Sequence, residues 1–171
     1  SFQHLESLVV SKRDLDLTSV LTTQVNKSFI ITGCGIVEGI LYYLIRSNNF
    51  HRENFWELVK EVKTNPFTTD GTELKIENHI FRKLDTPVEG QMSFDSMIKM
   101  CNNKKLLGNG HEIYKQLNYL RKMRNRIHLQ TIESAYDHDW NKISTSDFTL
   151  MSKVLFLVLT GSIFNPTAEQ K

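Results

Sequence analysis

Apolar residues recur with an approximately helical period from about Leu17 to Ile45, at Val20, Val25, Ile30, Cys34, Val37, Leu41 and Leu44, every third or fourth position after Ser28. That rhythm matches the helical period of about 3.6 residues, so this segment is expected to be one long helix whose apolar stripe other elements must cover. Glu38 interrupts the stripe. A carboxylate beside core positions either stays half exposed or reaches an arginine on a neighbouring helix. Gly35 and Gly39, four apart, lower helix propensity and point to close approach of a second backbone.

The same reading gives further helices. Phe55, Leu58, Val59 and Val62 have i, i+3, i+4, i+7 spacing and predict a helix over Glu53 to Lys63, with Trp56 as a structural residue. Thr64 to Gly71 reads as a loop, and Leu74, Ile76, Ile80 and Phe81 predict a helix over Glu73 to Leu84. Ser93 is a cap candidate for a short helix through about Asn102, with Phe94, Met97, Ile98 and Cys101 on its apolar face. A helix is expected from about Glu112 to Gln130, and a final one from caps at Ser144 to Asp147 through Ile163. Met151, Val154, Leu155, Leu157, Val158 and Leu159 make that last helix apolar nearly all round, which suits the centre of a bundle. Pro66, Pro87 and Pro166 fall between or after these segments, and strand signals are few. The expected fold class is therefore all-α: a single domain over 1–171, a helical bundle with short accessory helices.

Hydrophobic residues make up 40% and charged residues 23% of the chain, the balance of a soluble globular protein. No membrane span is expected, because Phe29 to Ile45 carries Glu38 and Val154 to Phe164 is too short to cross a bilayer. Cys34 and Cys101 lack the close partners of a zinc site or redox pair, and read as buried thiols in a reducing cytoplasm.

A net charge of +2 is too small to argue for nucleic acid, so any electrostatic case rests on local clustering. Lys99 to Gln130 holds eight cations against Glu112 alone, a net of +7. Within it, Leu-Arg-Lys-Met-Arg-Asn-Arg-Ile-His-Leu from Leu120 to Leu129 sets Arg121, Arg124 and His128 at i, i+3 and i+7, one face of a helix. Leu117, Leu120, Met123 and Ile127 form the adjoining apolar stripe, and Asn125 lies within a turn of both Arg121 and His128. Cleaving RNA without a metal requires a deprotonated 2′-hydroxyl, a stabilised phosphorane and a protonated 5′-oxygen. Histidine, with an ordinary pKa of about 6.5, exchanges protons at neutral pH. Guanidinium forks bind phosphate oxygens bidentately and stabilise charge developing there. The plainer alternative is a solvated basic face whose arginines form salt bridges and whose histidine is structural.

Asp137-His138-Asp139 reads as a solvated loop, because adjacent side chains diverge and a second ligand cluster is missing. His111 is expected near the start of the motif helix, His4, His51 and His79 have no recurring ligand spacing, and no glycine-rich phosphate loop follows a strand. No metal and no cofactor are expected.

The segment Leu120 to His128, together with an amphipathic helix bearing Ile36-Val-Glu38-Gly-Ile-Leu41 and a hydrophobic last helix, resembles the HEPN superfamily of nucleotide-binding and RNA-cleaving domains. Asn48 to Lys105 carries no diagnostic match. The resemblance implies a helical bundle that forms a homodimer, with motif helices of two copies building a composite, metal-independent ribonuclease site. It implies a role as a toxin or in antiviral defence, with an antitoxin or defence-system protein as partner, and the metal-independent mechanism predicts RNA ends bearing a 2′,3′-cyclic phosphate. The family's arginine, adjoining polar residue and histidine fall on Arg124, Asn125 and His128. Arg121 and His128 enclose six residues, within the family's usual spacing, whereas Arg124 and His128 enclose three. Either arginine is therefore a candidate. Gln130 stands where one toxin subgroup has a tyrosine. Lys122 and Arg126 are the expected substrate-binding cations, and Glu38 a supporting residue that restrains an arginine. The alternatives are a noncatalytic module that binds RNA, a nucleotide or a protein through the same face, and a purely structural dimerisation domain.

Overall fold

The computed structural model describes residues 2–129, 143–161 and 164, and divides them between two compact units. The first, Ser1–Phe50 with Ser93–Lys171, is helical. The second, His51–Met92, is a β arm inserted between two of its helices.

Five helices make up the described helical unit: α1 (Phe2–Asp14), α2 (Ser19–Ser47), α3 (Phe94–Lys104), α4 (His111–Leu129) and α5 (Thr145–Leu159). Helix α2 is the hub and packs against all four others. Its expected stripe is the core, with Ile30, Cys34, Val37, Leu41 and Leu44 all buried, although Val20 at the start of the helix is exposed. By length and mean hydropathy (1.7) α2 is apolar enough to cross a membrane, a test that the buried core helix of a soluble protein also passes. The close approach of a second backbone expected at Gly35 and Gly39 is not found, and it is Gly33 that is crowded, by a side chain. A Cβ on Gly33 would stand 2.8 Å from Met151 Cγ, whereas Gly35 and Gly39 meet nothing within 4 Å.

The predicted caps operate. Ser93 Oγ accepts the Ser96 N–H at 3.2 Å, and Phe94, Met97, Ile98 and Cys101 are buried as α3 packs on α2 and α4. Ser144 and Asp147 form a reciprocal capping box at the start of α5. Asp147 is further held by the Tyr119 hydroxyl, which donates to it at 2.8 Å and so ties α4 to α5. Met151, Val154, Leu155 and Val158 are buried, but Phe156 and Leu157 are exposed, so α5 is amphipathic rather than enclosed.

The all-α expectation is overturned, since 58% of the described residues are helical and 21% lie in strands, with two antiparallel pairings. Strand β1 (Glu53–Lys63) pairs with β4 (Glu77–Glu89), and β2 (Phe67–Thr69) with β3 (Thr72–Leu74), where helices were predicted over Glu53 to Lys63 and Glu73 to Leu84. A bulge explains the misreading. Leu58 faces Phe81 and Lys60 faces Ile80, so Val59 is an extra residue that breaks the two-residue alternation. The break converts a strand pattern into one that imitates i, i+3, i+4, i+7. At the tip, Asp70 and Gly71 both have positive φ (50° and 76°), as the mirror-image turns of tight hairpins require, and an Asp-Gly pair meets that demand cheaply.

Candidate functional site

Helix α4 seats itself by its apolar stripe: Tyr114, Leu117, Leu120 and Met123 are buried, and Ile127 is half-buried. Leu120 touches the wall beneath the motif directly, its carbonyl lying 3.7 Å from Cys34 Sγ of α2. The loop before α4 is fixed by the Tyr114 hydroxyl, which lies within hydrogen-bond distance of the Leu107 N–H and of the carbonyls of Cys101 and Gly108. These contacts set the rotation of α4, and therefore where its cations emerge.

Arg124 emerges toward α2. Its Nη2 donates to Glu38 Oε2 at 3.4 Å, and its Nη1 to the Asn125 amide oxygen at the same distance. Both members of the ion pair are about three-quarters covered, with side-chain exposures of 29% and 27%. A guanidinium in such a place keeps donors available at its open edge while its orientation is fixed by the carboxylate. Cys34 lies close enough to sense both charges. Burial pushes its thiol up to about 12, with Arg124 lowering and Glu38 raising the value.

Arg121 emerges toward α3 instead. Its Nη2 lies 3.0 Å from Asp95 Oδ1, and Asp95 also receives Lys99 Nζ at 2.6 Å. The hydrogen bond from Lys99, reinforced by the charges of Arg121 and Lys99, holds the Asp95 carboxyl below the usual carboxylate range despite some desolvation. Asp95 was missed in the sequence; it stands in the first turn of α3, where a carboxylate suits the helix dipole. Nothing in the spacing ties it to a residue 26 positions later.

The two candidate arginines, one turn apart on α4, are therefore held by different helices. The structure brings Glu38, Arg124 and Asn125 together and assigns Arg121 to a second cluster with Asp95 and Lys99. Lys122 is exposed and Arg126 half-buried on the same helix. His128 lies in the last turn of α4, and its side chain is outside the described structure, as are Gln130 and the Asp137-His138-Asp139 segment. Among the described residues no three His, Cys, Asp or Glu side chains gather as a metal site would require.

Compared with protein-family models, curated proteins and solved structures, the chain matches none.

Proposed function

We propose that the helical unit is a HEPN-like, metal-independent RNA endonuclease that acts in the cytoplasm as a toxin or in antiviral defence. Its site is composite, formed where α4 of one copy meets α4 of another, and a neutralising antitoxin or defence-system protein is its natural partner. One observation carries the reading: Arg124 is oriented by Glu38 and flanked by Asn125 on the helix that bears His128. A guanidinium held by a carboxylate from another helix keeps donors at its open edge for a phosphate oxygen.

In this mechanism His128 accepts the proton of the 2′-hydroxyl, the 2′-oxygen attacks phosphorus, and the bond to the 5′-oxygen breaks. The leaving oxygen takes a proton from a histidine, so the products are a 2′,3′-cyclic phosphate and a 5′-hydroxyl. Arg124 stabilises charge on the non-bridging oxygens, and Lys122, Arg126 and Arg121 draw the RNA backbone to the face.

The test is cleavage of single-stranded RNA by the purified chain in chelator, with end-group analysis of the products. Cyclic phosphate ends, together with loss of at least ~100-fold in His128→Ala, support the mechanism. Activity that disappears with chelator, or that survives His128→Ala, rejects it. Salt-sensitive RNA binding without turnover identifies the noncatalytic module instead.

A further inference from the structure

The β arm is a two-stranded ribbon, and its apolar side chains are uncovered. Every residue of β1 is exposed, and Phe55, Trp56, Leu58, Val59, Ile80 and Phe81 each expose 45% or more of their surface. An isolated two-stranded ribbon is marginal in water and gains stability from further strands. Among the described residues neither β1 nor β4 has a second strand neighbour.

The two edges are not equivalent. Both strands carry an irregularity, a register jump between Val88 and Lys83 on β4 and one extra residue at Val59 on β1, but only β4 also holds a proline, Pro87, which has no N–H to give. β1 has eleven residues and no proline. Charge narrows the class of occupant. Residues 51–92 hold six cations against eight carboxylates, a net of −2, which disfavours a nucleic-acid phosphate backbone.

The bulge makes β1 complementary to itself. Trp56 and Leu58 share a face with their partners Lys83 and Phe81, and Phe81 stacks on His79, the partner of Glu61. The same face therefore carries Trp56 and Leu58 before the bulge and Glu61 and Lys63 after it, while Glu57, Lys60 and Val62 share the other. An antiparallel copy of β1, related by a two-fold axis between Leu58 and Val59, sets Asn54 against Lys63, Phe55 against Val62, Trp56 against Glu61 and Glu57 against Lys60. Each pair occurs twice, Trp56 with Glu61 and Glu57 with Lys60 lie on matching faces, and the centre is Leu58 against Val59. Trp56 against Glu61 is the one apolar–charged pair of this register, whereas sliding the partner by two residues removes the Phe55–Val62 and Glu57–Lys60 pairs and sets Glu57 against Val62, Leu58 against Glu61 and Val59 against Lys60.

We propose that the arm is completed by a second copy of this chain, β1 against β1 in that register, giving a four-stranded sheet in the order β4-β1-β1-β4. The pairing does not depend on any chemistry at Arg124.

Cysteines introduced into the full chain test it, because Cys34 and Cys101 are buried. Asn54→Cys and Lys63→Cys are made separately and then mixed under mild oxidation. The expected result is a covalent dimer in the mixture and little in either variant alone, since like positions lie far apart in an antiparallel pair. Lys60→Glu places Glu against Glu57 twice and weakens self-association roughly tenfold; because Glu57 also receives Arg82 Nη2 at 2.9 Å, the swap that restores it is Glu57→Lys with Lys60→Glu and Arg82→Glu. Absence of the mixed dimer overturns the proposal, whether the arm is then found bare, covered by RNA or paired with another protein. Equal cross-linking of each variant alone overturns it too, because that signals parallel or nonspecific contact.

Discussion

Glu38 and Arg124 meet at 3.4 Å across 86 positions of chain, joining the middle of α2 to the motif helix. The pair is covered enough for its loss to be felt, and open enough for a ligand to reach the arginine. Glu38→Gln is expected to lower stability by about 1 kcal/mol while leaving the fold intact. Because the arginine loses its fixed orientation, RNA cleavage should fall while RNA binding at low salt holds or tightens. Arg124→Ala should reduce both. Denaturant titration beside binding and cleavage assays separates these outcomes, and parallel losses in both variants would show that Glu38 acts only on stability.

Asp95 makes stability depend on pH in a defined direction. Its carboxyl titrates lower in the folded chain than in the unfolded one, so its contribution is present above the unfolded value of about 3.9 and is lost as pH falls through the folded value. Near neutral pH the wild type should melt higher than Asp95→Asn. As the solution is acidified into the range where the folded carboxyl protonates, the two melting curves should converge. A gap that stays constant with pH would assign the effect to packing rather than charge.

The three glycines of α2 should respond with opposite signs. Gly33→Ala forces a methyl against Met151, which is fully buried, so overpacking should outweigh the gain in helix propensity and cost about 1 kcal/mol net. Gly35→Ala and Gly39→Ala meet open space in the single chain and should each stabilise it by ~0.5–1 kcal/mol. Chemical denaturation of the three variants reads this directly.

Both thiols are pushed up to about 12, chiefly by burial. A thiol reagent at pH 8 should therefore leave the native chain unlabelled and modify two sites per chain in denaturant. Since the folded values are the raised ones, the stability tied to neutral thiols is intact below about 8.5 and drains away as pH climbs toward 12. Melting temperature should fall across that alkaline window, and less so in Cys34→Ala with Cys101→Ala, which measures the effect against wild type.

The helical unit was legible where burial follows one uninterrupted period. Ile30 to Leu44 on α2, Phe94 to Cys101 on α3 and Leu117 to Met123 on α4 each lie in the core where their spacing places them. Helix α1 left no such trace, because only Leu5 of its thirteen residues is buried. The arm was illegible for two physical reasons: a bulge at Val59 scrambles alternation, and strands exposed on both faces need no polar side to contrast with an apolar one. At the site, Glu38 drew attention as a charge in an apolar helix. Its arginine, and the Asp95 cluster, are products of helix packing that spacing within one segment does not encode.

The arm closes where it begins, with the Gly90 N–H donating to the Arg52 carbonyl at 2.8 Å. Chain enters and leaves it at nearly one point. Insertions and deletions in the arm can therefore lengthen, shorten or replace it without displacing the segments that lead into it and out of it. Evolution is free to exchange such an appendage at a rate of its own, while the helices that hold Arg124 and Glu38 remain bound by their shared core.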